Sequence, residues 1–75
     1  MLAYVLVAVD SAREQEVYAE LKETEHVKDV HILFGEWDIV AKLQMENPEA
    51  LSSFVINTIR AIPGVKLTST MIVAK

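Results

Sequence analysis

Leu2 to Val9 is an unbroken apolar run, and it restricts the fold more than any other stretch of the chain. As a strand it sets Val5, Val7 and Val9 on one side and Tyr4, Leu6 and Ala8 on the other, so both faces are apolar. A strand of that kind belongs in the middle of a sheet with cover on both sides. Seventy-five residues supply one domain, of a size at which a single core only just suffices. The run has no basic leader, reaches about half the length of a spanning helix and stops at Asp10, so neither a signal peptide nor a membrane anchor is expected.

The remaining elements follow from periodicity and caps. Ser11 and Glu14 have the spacing of a capping box, which predicts a first helix over Ala12–Thr24 with a thin apolar stripe of Val17 and Leu21 and with Tyr18 beside them. Glu14, Glu16, Glu20 and Glu23 leave most of its surface charged and solvated. A second strand is predicted over His26–Phe34, with Val30, Ile32 and Phe34 on one face. A third, Asp38–Met45, alternates cleanly: Ile39, Ala41, Leu43 and Met45 against Asp38, Val40, Lys42 and Gln44. Asn47-Pro48-Glu49 opens a second helix, with Asn as cap, Pro at the first helical position and a carboxylate near the positive end of the dipole. Leu51, Phe54, Val55, Ile59 and Ile62 form its core stripe, and Pro63-Gly64 ends it. Val65–Val73 is the last strand, with Val65, Leu67, Ser69, Met71 and Val73 opposed to Lys66, Thr68, Thr70 and Ile72.

The order β-α-β-β-α-β is that of a ferredoxin-like α+β sandwich. It is a four-stranded antiparallel sheet in order 4-1-3-2 with both helices on one face. No linker, repeat or low-complexity segment divides it, so residues 1–75 are expected to form a single domain. The other face would carry one apolar set of the first strand with Val40 and Ile72, and no segment remains to cover it. A hydrophobic content of 52% is high for so small a chain and points to the same surplus. A homodimer, formed sheet to sheet or edge to edge, is therefore expected.

Composition removes several classes of function. The chain has no cysteine, which excludes disulfides, thiolate metal sites and thiol catalysis and fits a cytoplasmic setting. A net charge of −4 with no basic cluster argues against nucleic-acid binding, whose affinity rests on phosphate neutralisation. His26 and His31 fall on opposite strand faces, so no shared metal site is expected.

Between the second and third strands lies Phe34-Gly35-Glu36-Trp37-Asp38. Gly35 supplies the freedom a hairpin turn needs, but a large aromatic beside a carboxylate is unusual there. In the bland reading Trp37 covers the end of the core. Topology gives a second one: the third and fourth strands start at the same end of the sheet, roughly 10 Å apart, and simple alternation sets Asp38, Thr68 and Thr70 on one uncovered face. A carboxylate and hydroxyls can receive an ammonium, and the turn amides a carboxylate.

Gly35-x-x-Asp38 followed by Ile-Val-Ala-Lys-Leu, then Ile62-Pro63-Gly64-Val65, then Thr68-x-Thr70 before Ile72-Val73, resembles the effector domain of the Lrp/AsnC family of regulators. This module is also called RAM, for regulation of amino-acid metabolism. The resemblance covers the whole chain. It implies a dimer assembling into rings, octameric or decameric, that bind amino acids between dimers and act in transcriptional or metabolic regulation, without an enzymatic or cofactor-dependent step. The ligand-binding residues it implies are Gly35, Glu36, Trp37 and Asp38 of the loop, with Thr68 and Thr70 as the matching hydroxyls. The family's amino-terminal helix-turn-helix has no counterpart here, so the chain resembles a stand-alone form, with no direct nucleic-acid contact expected and full-length Lrp/AsnC regulators as possible partners.

Three other readings compete. A cofactor-independent monooxygenase of the dimeric α/β-barrel type would need an acid or base, for which His31, Tyr4 and Trp37 are the candidates. An ACT-type sensor would bind at the loop after the first strand, where Asp10-Ser11-Ala12-Arg13 lacks a glycine for close ligand approach. A purely structural oligomerisation module would explain the apolar surface as well as an effector domain does.

Overall fold

The computed structural model describes residues 1–75. β1 (Leu2–Val9), β2 (Val27–Ile32), β3 (Ile39–Gln44) and β4 (Val65–Ile72) form one antiparallel sheet in the order β2-β3-β1-β4. This is the expected order, with β1 central beside β3 and β4. α1 (Glu14–Lys22) and α2 (Pro48–Phe54) contribute to a single core with one sheet face. Ala3, Val5, Val7 and Val9 of β1 pack there with Ile39, Ala41 and Leu43 of β3 and with Val17, Leu21, Leu51, Val55 and Ile59. No charged or polar side chain is buried among them.

The second helix starts as its sequence dictates. The Asn47 side-chain carbonyl oxygen accepts the Ala50 amide at 2.7 Å, and Pro48 takes the first turn, where its missing donor costs nothing. Its continuation, Val55–Ile59, is a π-helical turn, with the Arg60 amide donating to the Val55 carbonyl at 2.8 Å. That wider turn keeps Leu51, Val55, Ile59 and Ile62 buried, while Ile56 faces outward at 55% exposure. Phe54 is only half-buried, edge-on to His26 with ring centres 5.4 Å apart.

The first helix departs from expectation. It begins at Glu14, and Arg13, which has no side-chain capping bond, occupies the cap position. Ala12 adopts φ 65°, and the Arg13 amide donates back to the Asp10 carbonyl at 3.0 Å. The chain thus spends Asp10–Ala12 on a tight turn, leaving Ser11 two residues before the cap position and unable to form its capping box. β2 is likewise shorter than predicted. Val30 is buried, but the ladder ends at Ile32 and Phe34 stands wholly in solvent.

The largest correction concerns β4. Val65 opposes Val9 and Leu67 opposes Ala8, so Lys66 is an extra residue in a bulge. Beyond it every side chain is reversed relative to simple alternation, because the strand period is two. Thr68 opposes Val7, Thr70 opposes Val5 and Ile72 opposes Ala3, all on the helix-covered side. The uncovered side instead carries Leu67, Ser69 and Met71, next to Tyr4, Leu6 and Ala8. Ile72 therefore does not belong to the uncovered face, whereas Val40, opposite Leu6, does. A second bulge in β2, between Val27 and Asp29, places Asp29 and His31 on that open side.

Candidate functional site

The loop from Leu33 to Asp38 is closed at its base by the Leu33 amide donating to the Asp38 carbonyl at 2.8 Å. Gly35 adopts φ +148°, a backbone state in which any side chain is strained, and the space where a Cβ would stand is empty. Asp38 anchors the loop to the sheet twice. Its amide donates to the Val7 carbonyl at 3.0 Å, and its carboxylate Oδ2 accepts the Val9 amide at 2.8 Å. One carboxylate oxygen is thus held in a structural bond, and Oδ1 has no hydrogen-bond partner in the chain.

The four amides between these anchors, of Phe34, Gly35, Glu36 and Trp37, donate to no group of the chain. Backbone donors left unpaired are costly unless water or a ligand meets them. Four in succession around a glycine, in a loop that ends on a carboxylate with one oxygen unused, are left open to water or a ligand. Glu36 is exposed and Trp37 half-buried, and together with Ala8 and Leu67 they line a shallow depression of about 240 Å³ on the uncovered side of the sheet.

Thr68 and Thr70 do not join this group. The bulge places them on the opposite side of the sheet, where Thr70 lies in a groove of about 270 Å³ between β4 and the second helix. Leu51, Val55, Ile56 and Ile72 form its apolar walls, and Ser52 adds a second hydroxyl. The expectation that Asp38, Thr68 and Thr70 share a face is therefore corrected: within one chain the loop and the threonines are separated by the sheet itself. Ser52 and Ile56 were missed from sequence, although Ile56 gave a signal, being a large aliphatic residue off the core stripe of its helix.

The candidates for catalysis are dispersed. Tyr4 and His31 border a solvent-open hollow with Asp29, Val40 and Lys42, and the His31 ring is 3.8 Å from the Asp29 carboxylate with most of both side chains in water. Trp37 lies in a separate depression. His26, in the turn before β2, is paired with Glu25 at 3.3 Å. No cluster of histidine and carboxylate side chains has the makings of a cation site. No helix is long and apolar enough to cross a membrane.

Comparison with known proteins gives a consistent result. Residues 2–75 match a family model described as the Lrp/AsnC ligand binding domain. The chain is 40% identical over 75 residues to the HTH-type transcriptional regulator FL11 of Pyrococcus abyssi, covering all of this chain and 49% of that protein. The chain thus spans about half the length of the curated relatives it matches. Among solved structures, FFRP-DM1 superposes with a TM-score of 0.91 at 30% identity, covering 96% of each chain. The transcriptional regulator NMB0573 of Neisseria meningitidis, solved as a complex with L-Met, superposes with a TM-score of 0.88 at 25% identity over 99% of this chain and 49% of its own. By its sequence over nearly every residue and by its fold, the chain belongs to the Lrp/AsnC ligand-binding domain family.

Proposed function

We propose that this domain binds a small zwitterionic effector, an amino acid, and serves regulation of transcription or metabolism without catalysing a reaction or contacting DNA itself. The observation that carries the reading is the run of four unpaired amides from Phe34 to Trp37 next to the free Oδ1 of Asp38. The amides suit an α-carboxylate, and the carboxylate oxygen suits an α-ammonium. Trp37 and Glu36 wall this half of the site, and Thr68 and Thr70 supply hydroxyls to the other half. The methionine complex of the Neisseria relative supports the choice of an amino acid.

The domain acts as a homodimer within a larger ring. The uncovered sheet face, with Leu67 at 62% and Met71 at 46% exposure beside Leu6, Ala8 and Val40, supports this reading. Such apolar area in water forfeits roughly 25 cal/mol per Å², which a second copy recovers. Full-length regulators of the same family are natural co-assembly partners, and the cytoplasm is the setting such regulators need.

The test is a thermal-shift screen of the twenty amino acids. At a free concentration of one hundred times Kd, a true effector adds about 2.7 kcal/mol of stability, which a melting curve resolves easily. The reading is overturned if no amino acid raises the melting temperature, or if Asp38→Asn leaves the shift of the best one intact.

A further inference from the structure

β2 is an edge strand with one open side. It pairs only with β3, so alternate residues of its ladder turn their amide and carbonyl groups away from the sheet. Counting back from the Leu33–Asp38 bond, His31 exchanges its main-chain bonds with Val40, which leaves the groups of Val30 and Ile32 pointing outward. α1 packs on this strand. A trough runs between them along the edge, made of hollows of about 250 and 330 Å³ that share Tyr18, Val30 and His31. Ile32 points to the helix side, opposite buried Ile39, yet is 38% exposed, with only Gln15 and Tyr18 across the hollow from it.

Positive charge collects along this trough in a chain whose net charge is −4. The stripe of α1 that borders it is Gln15, Tyr18 and Lys22, at helical spacing, and none of Glu14, Glu16, Glu20 and Glu23 lines it. Lys28, the extra residue of the β2 bulge, shares a hollow with Lys22. Neither amine forms an ion pair within the chain. The acid beside them, Asp29, has the His31 ring 3.8 Å away and Lys42 directly opposite in the ladder, so its charge is offset from within.

We propose that the β2 edge and the α1 trough receive an extended, acidic segment of another protein, which adds as a fifth strand antiparallel to β2. Main-chain bonds to Val30 and Ile32 hold it, and the side chains that alternate toward the trough select it. The residue opposite Ile32 covers that side chain and Tyr18, so it is apolar. Two and four residues further on, the added strand passes Lys22 and Lys28, and there it carries carboxylates. The surface lies apart from the Leu33–Asp38 loop and from the uncovered sheet face, and the proposal does not depend on the effector reading.

A second copy of this chain is the wrong occupant. Of its four strands only β2 contains an acid, Asp29, and that residue faces the open side of the sheet instead of the trough. Pairing β2 with its own copy would also bring the unpaired Lys22 and Lys28 of both chains into one seam, where like charges repel. The basic trough and the free edge thus call for a strand that this sequence does not possess.

The probe is a fluorescein-labelled peptide, Ser-Val-Thr-Glu-Thr-Glu-Ser with blocked ends, followed by fluorescence anisotropy. Saturable binding is expected, about tenfold weaker to the Lys22→Glu, Lys28→Glu double variant. Both side chains are exposed, so the variant keeps the fold, and a peptide with Lys in place of Glu should restore its binding. Methylating the amide of the first Glu keeps every charge but removes a main-chain donor, and should weaken binding about tenfold as well. Bound peptide should slow hydrogen exchange at the Val30 and Ile32 amides. No binding at protein concentrations on the order of 1 mM, or undiminished binding by the double variant or of the methylated peptide, overturns the proposal. Val30 and Ile32 amides already protected without peptide overturn it too, because a second copy then fills the edge.

Discussion

The Asp38 carboxylate accepts the Val9 amide at 2.8 Å, tying the loop after β2 to the end of the central strand 29 residues earlier in the sequence. The residue proposed to receive a ligand is therefore also a structural brace. Removing it leaves a half-buried amide without a partner.

Asp38→Ala is accordingly expected to lower stability by about 1–3 kcal/mol, measured by urea denaturation. For a domain of this size that corresponds to a melting temperature lower by about 4–8 °C for each kcal/mol. Asp38→Asn keeps an acceptor oxygen for Val9 and should retain most of the stability. Equal losses in the two variants would show that the charge matters to the brace, and not only the hydrogen bond.

The two glycines provide an internal contrast. Both have positive φ, but a Cβ at Gly35 meets nothing, whereas one at Gly64 falls 3.2 Å from Arg13 Cβ and 3.3 Å from Val17 Cγ2. Gly35→Ala bears backbone strain alone, about 1–2 kcal/mol. Gly64→Ala bears the strain plus the displacement of α1, and should be the more destabilising in parallel denaturation curves.

Leu43 and Ile59 are fully buried in the core. Truncating either to Ala should cost about 2–5 kcal/mol through lost transfer energy and the cavity left behind. In a domain with so small a core that is a large part of the total stability, and thermal melts should show a broad or absent transition near room temperature.

Replacing both Leu67 and Met71 by Lys on the uncovered face should leave the monomer folded, because neither side chain lies in the core. Four such cations facing one another across a twofold interface would repel. Sedimentation should show the dimer lost while the helical circular dichroism signal is retained; a dimer that survives would place the interface elsewhere.

The order of elements, the central place of β1 and the interior of β3 were legible because each rests on a pattern of many residues. The doubly apolar run Leu2–Val9 and the strict alternation from Ile39 to Met45 leave few alternatives. The Asn47 cap was legible because its chemistry is local. The Ser11 cap failed for the same reason, since Ala12 adopts a left-handed conformation that no residue type announces. Gly35 marked the loop, but the faces of Thr68 and Thr70 depended on the Lys66 bulge. One extra residue inverts a whole strand, and neither set of β4 side chains is apolar enough to reveal it.

That bulge decides what β4 gives to the interior. In register without it, Leu67 and Met71 would point toward the helices and Thr68 and Thr70 toward water, the arrangement an isolated molecule would favour. The observed register does the reverse, turning its more apolar set outward. For a lone chain this is local frustration, a strand at odds with its own burial; it becomes consistent only once the outer face is covered. In the proposed dimer the ordering of β4 is coupled to assembly, and its amides should gain hydrogen-exchange protection as protein concentration rises.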